Sequence, residues 1–170
     1  MMLMLIFFLF TLPVTVTAEE HGQQRGSSFS GEYGSGGGTS FSLSGEHRRG
    51  KITGFRIYEQ CSGIIHGIQF QYAHIWSESH GSKSGRSHEV LLKNGEKITQ
   101  VLGKYYSYIQ QLIFITNYGR IFTFGQPSGY SFNATPHYRG AFLSYVSGHH
   151  NSYGLTGVGF HWDEPKFIKA

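Results

Sequence analysis

Three short segments of this chain carry residue types suited to holding a polar ligand. The first, Gly34-Ser35-Gly36-Gly37-Gly38, places four glycines in five positions. Bare backbone of that kind lets N–H groups meet a ligand with no Cβ in the way. It is not a P-loop, which needs a lysine behind the glycines, nor a dinucleotide fingerprint, which needs a strand–helix unit around it. A flexible turn is the plain alternative. The second segment, Gly103-Lys104-Tyr105-Tyr106-Ser107-Tyr108, joins aromatic faces, which stack on the apolar side of a pyranose, to groups that bond ring oxygens or sulfates. Ordinary strand residues are the alternative there. The third, Ser147 to Thr156, is rich in hydroxyl, amide and imidazole groups.

Other reactive types do not assemble into chemistry. His149 and His150 with His161 make a poor metal site, because neighbours on a strand point to opposite faces and no Cys or Asp joins them. Cys61 and His66 lack the acid that orients a nucleophile pair. The sequence therefore predicts no enzyme, no metal and no cofactor.

Length and composition bound what must position these segments. The 170 residues, with 14 Lys and Arg against 10 Asp and Glu, give a net charge of +4. That balance favours anionic glycans or surfaces but is too weak to argue nucleic acid. Arg48, Arg49 and Lys51 form a candidate polyanion patch, and Lys83 and Arg86 fall in the polar stretch 80–88. Residues 1–18 read as a signal peptide: an apolar run from Met1 to Phe10, too short to span a membrane, then a small-residue cleavage site at Ala18. Residues 19–26 read as a flexible lead-in, 27–164 as one domain and 165–170 as a tail. The single cysteine, Cys61, excludes an internal disulfide and is expected to be a buried thiol, with an intermolecular bridge as the alternative. Asn133-Ala134-Thr135 is an acceptor for N-glycosylation.

The periodicity is that of strands. Apolar and polar residues alternate in Phe55–Tyr58, Ile68–Tyr72 and Ile121–Phe124, between Gly, Asn and Ser turns. Asn94-Gly95 is the strongest hairpin cue. A shared pattern, apolar-x-x-apolar-x-apolar with glycine common at the third place, recurs at Ile52–Ile57, Ile65–Phe70, Ile109–Phe114 and Leu155–Phe160. Copies starting at 52, 109 and 155 leave room for about four strands each. Three four-stranded sheets around one axis, or an ordinary sandwich, satisfy this spacing.

Longer motifs separate the two. SGEYGSGGGTSFSLSG, GKITGFRIY, QYAHIWS, KYYSYIQQLIFITNYGRIFTFG, SFNATP and GVGFHWDE follow one another across residues 27–164. Together they resemble the animal jacalin-related lectins. The resemblance implies an all-β fold, the β-prism type I: three four-stranded Greek-key sheets with pseudo-threefold symmetry and sugar-binding loops at one end. It implies a secreted or granule-borne lectin without enzymatic activity, whose partners are mucosal, granule-matrix or microbial-surface glycans, mannose-type among them. Gly36, Gly37 and Gly38 fall in the family's glycine loop, and Lys104, Tyr105 and Tyr106 in its recognition loop. Tyr153, Gly154, Leu155 and Thr156 fall in its Gly-x-x-x-Asp motif, where an aspartate carboxylate and nearby backbone N–H groups hold the sugar. Here Ser152 stands for the glycine and Thr156 for the aspartate, and the loop is about one residue longer. A hydroxyl lacks the charge-assisted strength of a carboxylate. The sequence thus leaves a second reading open, a β-prism scaffold that has lost monosaccharide binding and works through glycosaminoglycan or protein contacts.

Overall fold

The computed structural model describes residues 26–61 and 63–165; the signal peptide 1–18, residues 19–25 of the lead-in and residues 166–170 of the tail lie outside them. Thirteen strands follow in order: β1 Ser27–Gly34, β2 Thr39–Ser42, β3 Ile52–Glu59, β4 Ile65–Tyr72, β5 Ile75–Trp76, β6 His80–Gly81, β7 Arg86–Leu91, β8 Ile98–Tyr105, β9 Ile109–Thr116, β10 Ile121–Gly125, β11 Tyr130–Ala134, β12 Phe142–His150 and β13 Leu155–Asp163. A single 3-10 turn, Glu46–Arg49, is the helical element among the described residues.

The strands form three antiparallel sheets. Their orders are β1-β13-β12-β2, β5-β4-β3-β7 with β6 also on β4, and β10-β9-β8-β11. In each, a central hairpin is flanked by a third strand, and a fourth returns to the far side of the first, which is the Greek key. The second sheet departs from four strands because its edge is broken into β5 and β6, which pair with opposite ends of β4. Between them Ser77 folds inward: its hydroxyl accepts from the Phe70 N–H and its carbonyl accepts from Gln69. The repeats at 52, 109 and 155 are β3, β9 and β13, one inner strand per sheet.

The inner strands alternate so that one face of every sheet meets the prism axis. Phe55, Ile57, Ile68, Phe70, Val101, Leu112, Phe114, Val146, Val158, Phe160 and Trp162 are all fully buried. Aromatic rings close the three seams. Phe55 packs on Phe114 at 4.6 Å between the second and third sheets, and Tyr33 stacks on Phe132 at 4.4 Å between the third and first. Phe41 stacks on His80 at 4.3 Å between the first and second. Such ring pairs contribute about 0.5–1.5 kcal/mol each beyond the area they bury.

Two sequence expectations are corrected. Asn94-Gly95 does not close a hairpin: it lies between β7 and β8, which belong to different sheets. The hairpin turn of that region is Asn117-Tyr118-Gly119, joining β9 to β10. Cys61 is exposed rather than buried, because it sits in the connection between β3 and β4 with no apolar partner beside it in sequence.

Candidate functional site

One end of the prism is built three times over. Each sheet has a loop that crosses from one edge strand to the other over the turn of its central hairpin: residues 35–37, 82–84 and 126–128. Each loop is tied down the same way, by Ser35, Ser82 and Gln126 N–H groups donating to the carbonyls of Thr156, His66 and Gln110 at 2.8, 2.8 and 2.9 Å. Each is bracketed by glycines four apart with positive φ, Gly34 and Gly38 in the first sheet. A Cβ there would stand 2.2 Å from the Thr156 carbonyl oxygen or 2.4 Å from that of His150. Only glycine lets the crossing loop lie this close to the hairpin. Gly37 differs: its φ is ordinary and open space surrounds the place of a Cβ.

The three hairpin turns converge on Tyr153, a residue 46% exposed. Tyr108 meets it edge-on at 5.4 Å, His66 lies at 5.2 Å, and its hydroxyl donates to Gln60 Oε1 at 3.2 Å. The glycine loop joins them where the Ser35 hydroxyl donates to the Ser107 carbonyl at 2.8 Å. The end is therefore a shallow polar floor with a tyrosine standing over it.

Thr156 is buried in that floor. Its hydroxyl donates to the Gly37 carbonyl oxygen in a close contact, while its own carbonyl accepts from Ser35 and Gly36 N–H groups at 2.8 and 3.1 Å. Beside it, Asn151 Oδ1 accepts from the N–H groups of Tyr153 and Gly154 at 2.9 and 3.1 Å. Donors suited to a sugar are thus largely engaged within the chain. A carboxylate at 156 would face the Gly37 carbonyl with no proton to offer. Thr156→Asp alone should consequently lower stability by about 1–3 kcal/mol, the cost of a buried acceptor left unmatched. It should bring little gain in mannose affinity, and denaturation with calorimetry on one preparation checks both.

The remaining sequence candidates divide between positions. Leu155 and Gly154 are buried, the former in the core. Tyr105 packs inward near Phe132 at 6.4 Å, and Lys104 Nζ donates to Ser131 Oγ at 2.8 Å across to β11. Tyr106 and Tyr108 lie in the turn between β8 and β9 rather than in a strand. Tyr106 meets Tyr130 edge-on at 5.8 Å, and these two are 52% and 68% exposed. Tyr130 stands in no recognisable motif, and Asn151 is one polar residue among several in the third segment, with nothing in the sequence to set it apart. His149 and His150 do face opposite ways: His149 Nδ1 meets Glu32 at 2.6 Å, and His150 lies 5.9 Å from Phe41. Asn133 is exposed on β11, its Oδ1 accepting from Gln100 at 2.8 Å.

Arg48, Arg49 and Lys51 are at the opposite end, whereas Lys83 lies in the crossing loop 82–84 and Arg86 begins β7 beside it. Arg49 turns to Glu46 at 2.8 Å, while Arg48 and Lys51 line a cavity of about 710 Å³ with Lys97, Phe142, Asp163 and Glu164. The ammonium groups of Lys97 and Lys51 lie 4.5 and 5.9 Å from the Phe142 ring centre. Burial, and then the charge of Lys51, lower the pKa of Lys97.

Three Greek keys about one axis, with crossing loops gathered at one end, match a known design. Residues 30–161 match the model of the jacalin-like lectin domain. The chain belongs to the jacalin-like lectin family. This is a family of carbohydrate-binding proteins, not of enzymes. The lectin chain is 43% identical to human (Homo sapiens) zymogen granule membrane protein 16 over 141 residues, 83% of each chain. It is 37% identical to rat (Rattus norvegicus) prostatic spermine-binding protein over 129 residues, 74% of this chain and 44% of that one. Among solved structures, a prostate-specific glycoprotein lectin superposes with a TM-score of 0.73 at 37% identity, over 82% of this chain and all of that one. A mannose-binding jacalin-related lectin from Ananas comosus shares the fold, with a TM-score of 0.68 at 20% identity, over 82% and 99% of the two chains. Among the described residues no helix of the lectin is long and apolar enough to cross a membrane.

Proposed function

We propose that this chain is a secreted lectin that recognises glycans of mucosal, granule-matrix or microbial surfaces at the end of the prism formed by the glycine loop and the turn around Tyr153. The apolar leader at residues 1–18 supports secretion, and the granule proteins among its relatives support a secretory-granule route. The observation that carries the reading is the gathering of the glycine loop, Ser107 and Tyr108, and Gln60 about one exposed tyrosine. Gly36, Gly37 and Gly38 present backbone to the ligand, and Tyr153 offers the ring face. Tyr106 and Tyr130 extend the aromatic surface for longer glycans, with Lys104 beside them. With a hydroxyl at 156, monosaccharides are held weakly, and mannose-type binding of the kind named for the Ananas comosus lectin is reduced. A glycan array on the secreted chain and on Gly37→Val tests this. Glycans bound by the parent and lost by the variant support it; an identical binding profile for both overturns it.

A second reading concerns the far end, where Lys51 and Lys97 face one cavity and neither pairs with a carboxylate among the described residues. Two cations held together in partly desolvated surroundings favour an anionic guest. Retention on heparin should fall steeply as salt rises, because these contacts are screened. Replacing Arg48, Lys51 and Lys97 with serine should weaken retention severalfold and leave neutral-glycan binding as it was. Retention equal to the parent's excludes this end as a polyanion site.

A further inference from the structure

We propose that the Asn151 side chain is a resident occupant of the sugar subsite, and that the need to displace it sets which glycans this end accepts. The inference rests on the reading of that end as the glycan site. Two adjacent backbone N–H groups, those of Tyr153 and Gly154, point at one oxygen between them, at 2.9 and 3.1 Å. Such a pair of donors beside position 156 is what a pyranose hydroxyl or ring oxygen would meet. In this chain the oxygen they hold is Oδ1 of Asn151.

The orientation of the carboxamide is fixed by its partners. Its Nδ2 donates to the Tyr108 hydroxyl oxygen at 3.0 Å. Turned over, the NH₂ group would face two N–H donors, and both bonds would be lost. The backbone of Asn151 is held too, its N–H donating to the Gly154 carbonyl at 3.1 Å. An ordinary Asx turn explains the bond from Tyr153, two residues on. The bond from Gly154, three residues on, is of the same capping kind, but neither accounts for the tie to a tyrosine of another sheet. Together these lock the amide over the floor at the foot of the exposed Tyr153 ring.

The consequence for specificity follows from exchange. A monosaccharide that takes the two N–H groups replaces two existing hydrogen bonds and sends the Asn151 amide and the Tyr108 hydroxyl back to water, so the exchange gains little. A longer glycan that also covers Tyr153, Tyr106 and Tyr130 gains contact area in return. Asn151 thereby discriminates against single neutral sugars.

Methyl α-mannoside is the probe, titrated calorimetrically into the parent, Asn151→Ala and Asn151→Asp. Asn151→Ala frees both donors and should bind about tenfold more tightly, the equivalent of about one hydrogen bond gained. Asn151→Asp is close to isosteric, keeps a stronger acceptor on the same donors and should bind no better than the parent. Equal affinity of Asn151→Ala and parent overturns the proposal, and so does tighter binding by Asn151→Asp. Should Asn151→Ala not fold, nuclear magnetic resonance of the parent replaces it. High methyl α-mannoside must then move the Asn151 side-chain amide resonances together with the Tyr153 and Gly154 amides, and an unmoved Asn151 pair overturns it. Adding Gly37→Val to each protein separates the two levels. Mannoside binding lost through Gly37→Val yet unchanged by Asn151→Ala keeps the site and removes only the occupant. Binding indifferent to Gly37→Val removes the site itself.

Discussion

Gly34→Val should lower folding stability by about 3 kcal/mol or more, whereas Gly37→Val in the same loop should leave stability within about 0.5 kcal/mol of the parent. The difference lies in what each Cβ would meet. At Gly34 it would stand 2.2 Å from the Thr156 carbonyl oxygen and 2.8 Å from the Gly157 Cα, with φ at +128°. Both obstacles are backbone of the inner strand β13, so neither can rotate aside, and the crossing loop must lift from the hairpin. At Gly37 nothing lies within 4 Å and φ is not in the positive region that favours glycine. Urea denaturation and glycan binding on both variants give the expected pattern: Gly34→Val loses stability, and Gly37→Val loses ligand alone. Comparable shifts in the denaturation midpoint for both would falsify the division of this loop into a structural and a ligand-facing glycine.

Glu96→Ala should cost about 3 kcal/mol at neutral pH, the lower part of the range for breaking a buried ion pair, because Arg120 keeps one side in water. The Glu96 side chain is completely buried. Its carboxylate accepts from the Lys93 N–H at 2.7 Å, the Thr116 hydroxyl at 2.8 Å and Arg120 Nε at 2.8 Å. Burial by itself raises the pKa of this carboxyl, but bonds from Lys93, Arg120 and Thr116 more than offset it and hold the group below the ordinary glutamate value. The folded pKa thus lies below the unfolded one. The stability it contributes is present above the ordinary glutamate pKa and is lost as pH falls through the lower, folded value. The gap between parent and variant should therefore narrow on acidification through that window. A gap that stays constant there would mean that the charge of Glu96 is not what holds Thr116, Arg120 and Lys93 together.

Much of this architecture was legible in the residues because its cause is local. Alternation in β3, β9 and β13 reports burial of one face, and a repeat of that alternation reports three such faces around one axis. The glycine loop was legible for the same reason, since four glycines in five positions are costly to keep without a use. What escaped depends on partners remote in sequence. Asn94-Gly95 has the chemistry of a hairpin turn, yet which strands a turn joins is decided by the sheets on either side. Asn151 looks like any polar loop residue until the third sheet brings the Tyr108 hydroxyl to its amide. Tyr130 begins β11 while Tyr106 lies in the turn between β8 and β9, and Lys97 joins Lys51 only where the ends of two sheets come together. Cys61 misled because a lone thiol is usually buried, while its turn offered nothing apolar to bury it against.

The first sheet is assembled from both ends of the described chain: β1 pairs with β13 and β2 with β12, while the other two sheets draw on neighbouring segments. This orders events in time. The second and third sheets can form from strands that leave the ribosome one after another, at modest loop-closure cost. The first must wait until β13 is complete, with its early strands held unpaired and their edges open throughout synthesis. The glycine loop and Asn151 both belong to that sheet. The proposed glycan-binding end is then the last part of the molecule to be completed, together with the share of the core that β12 and β13 supply.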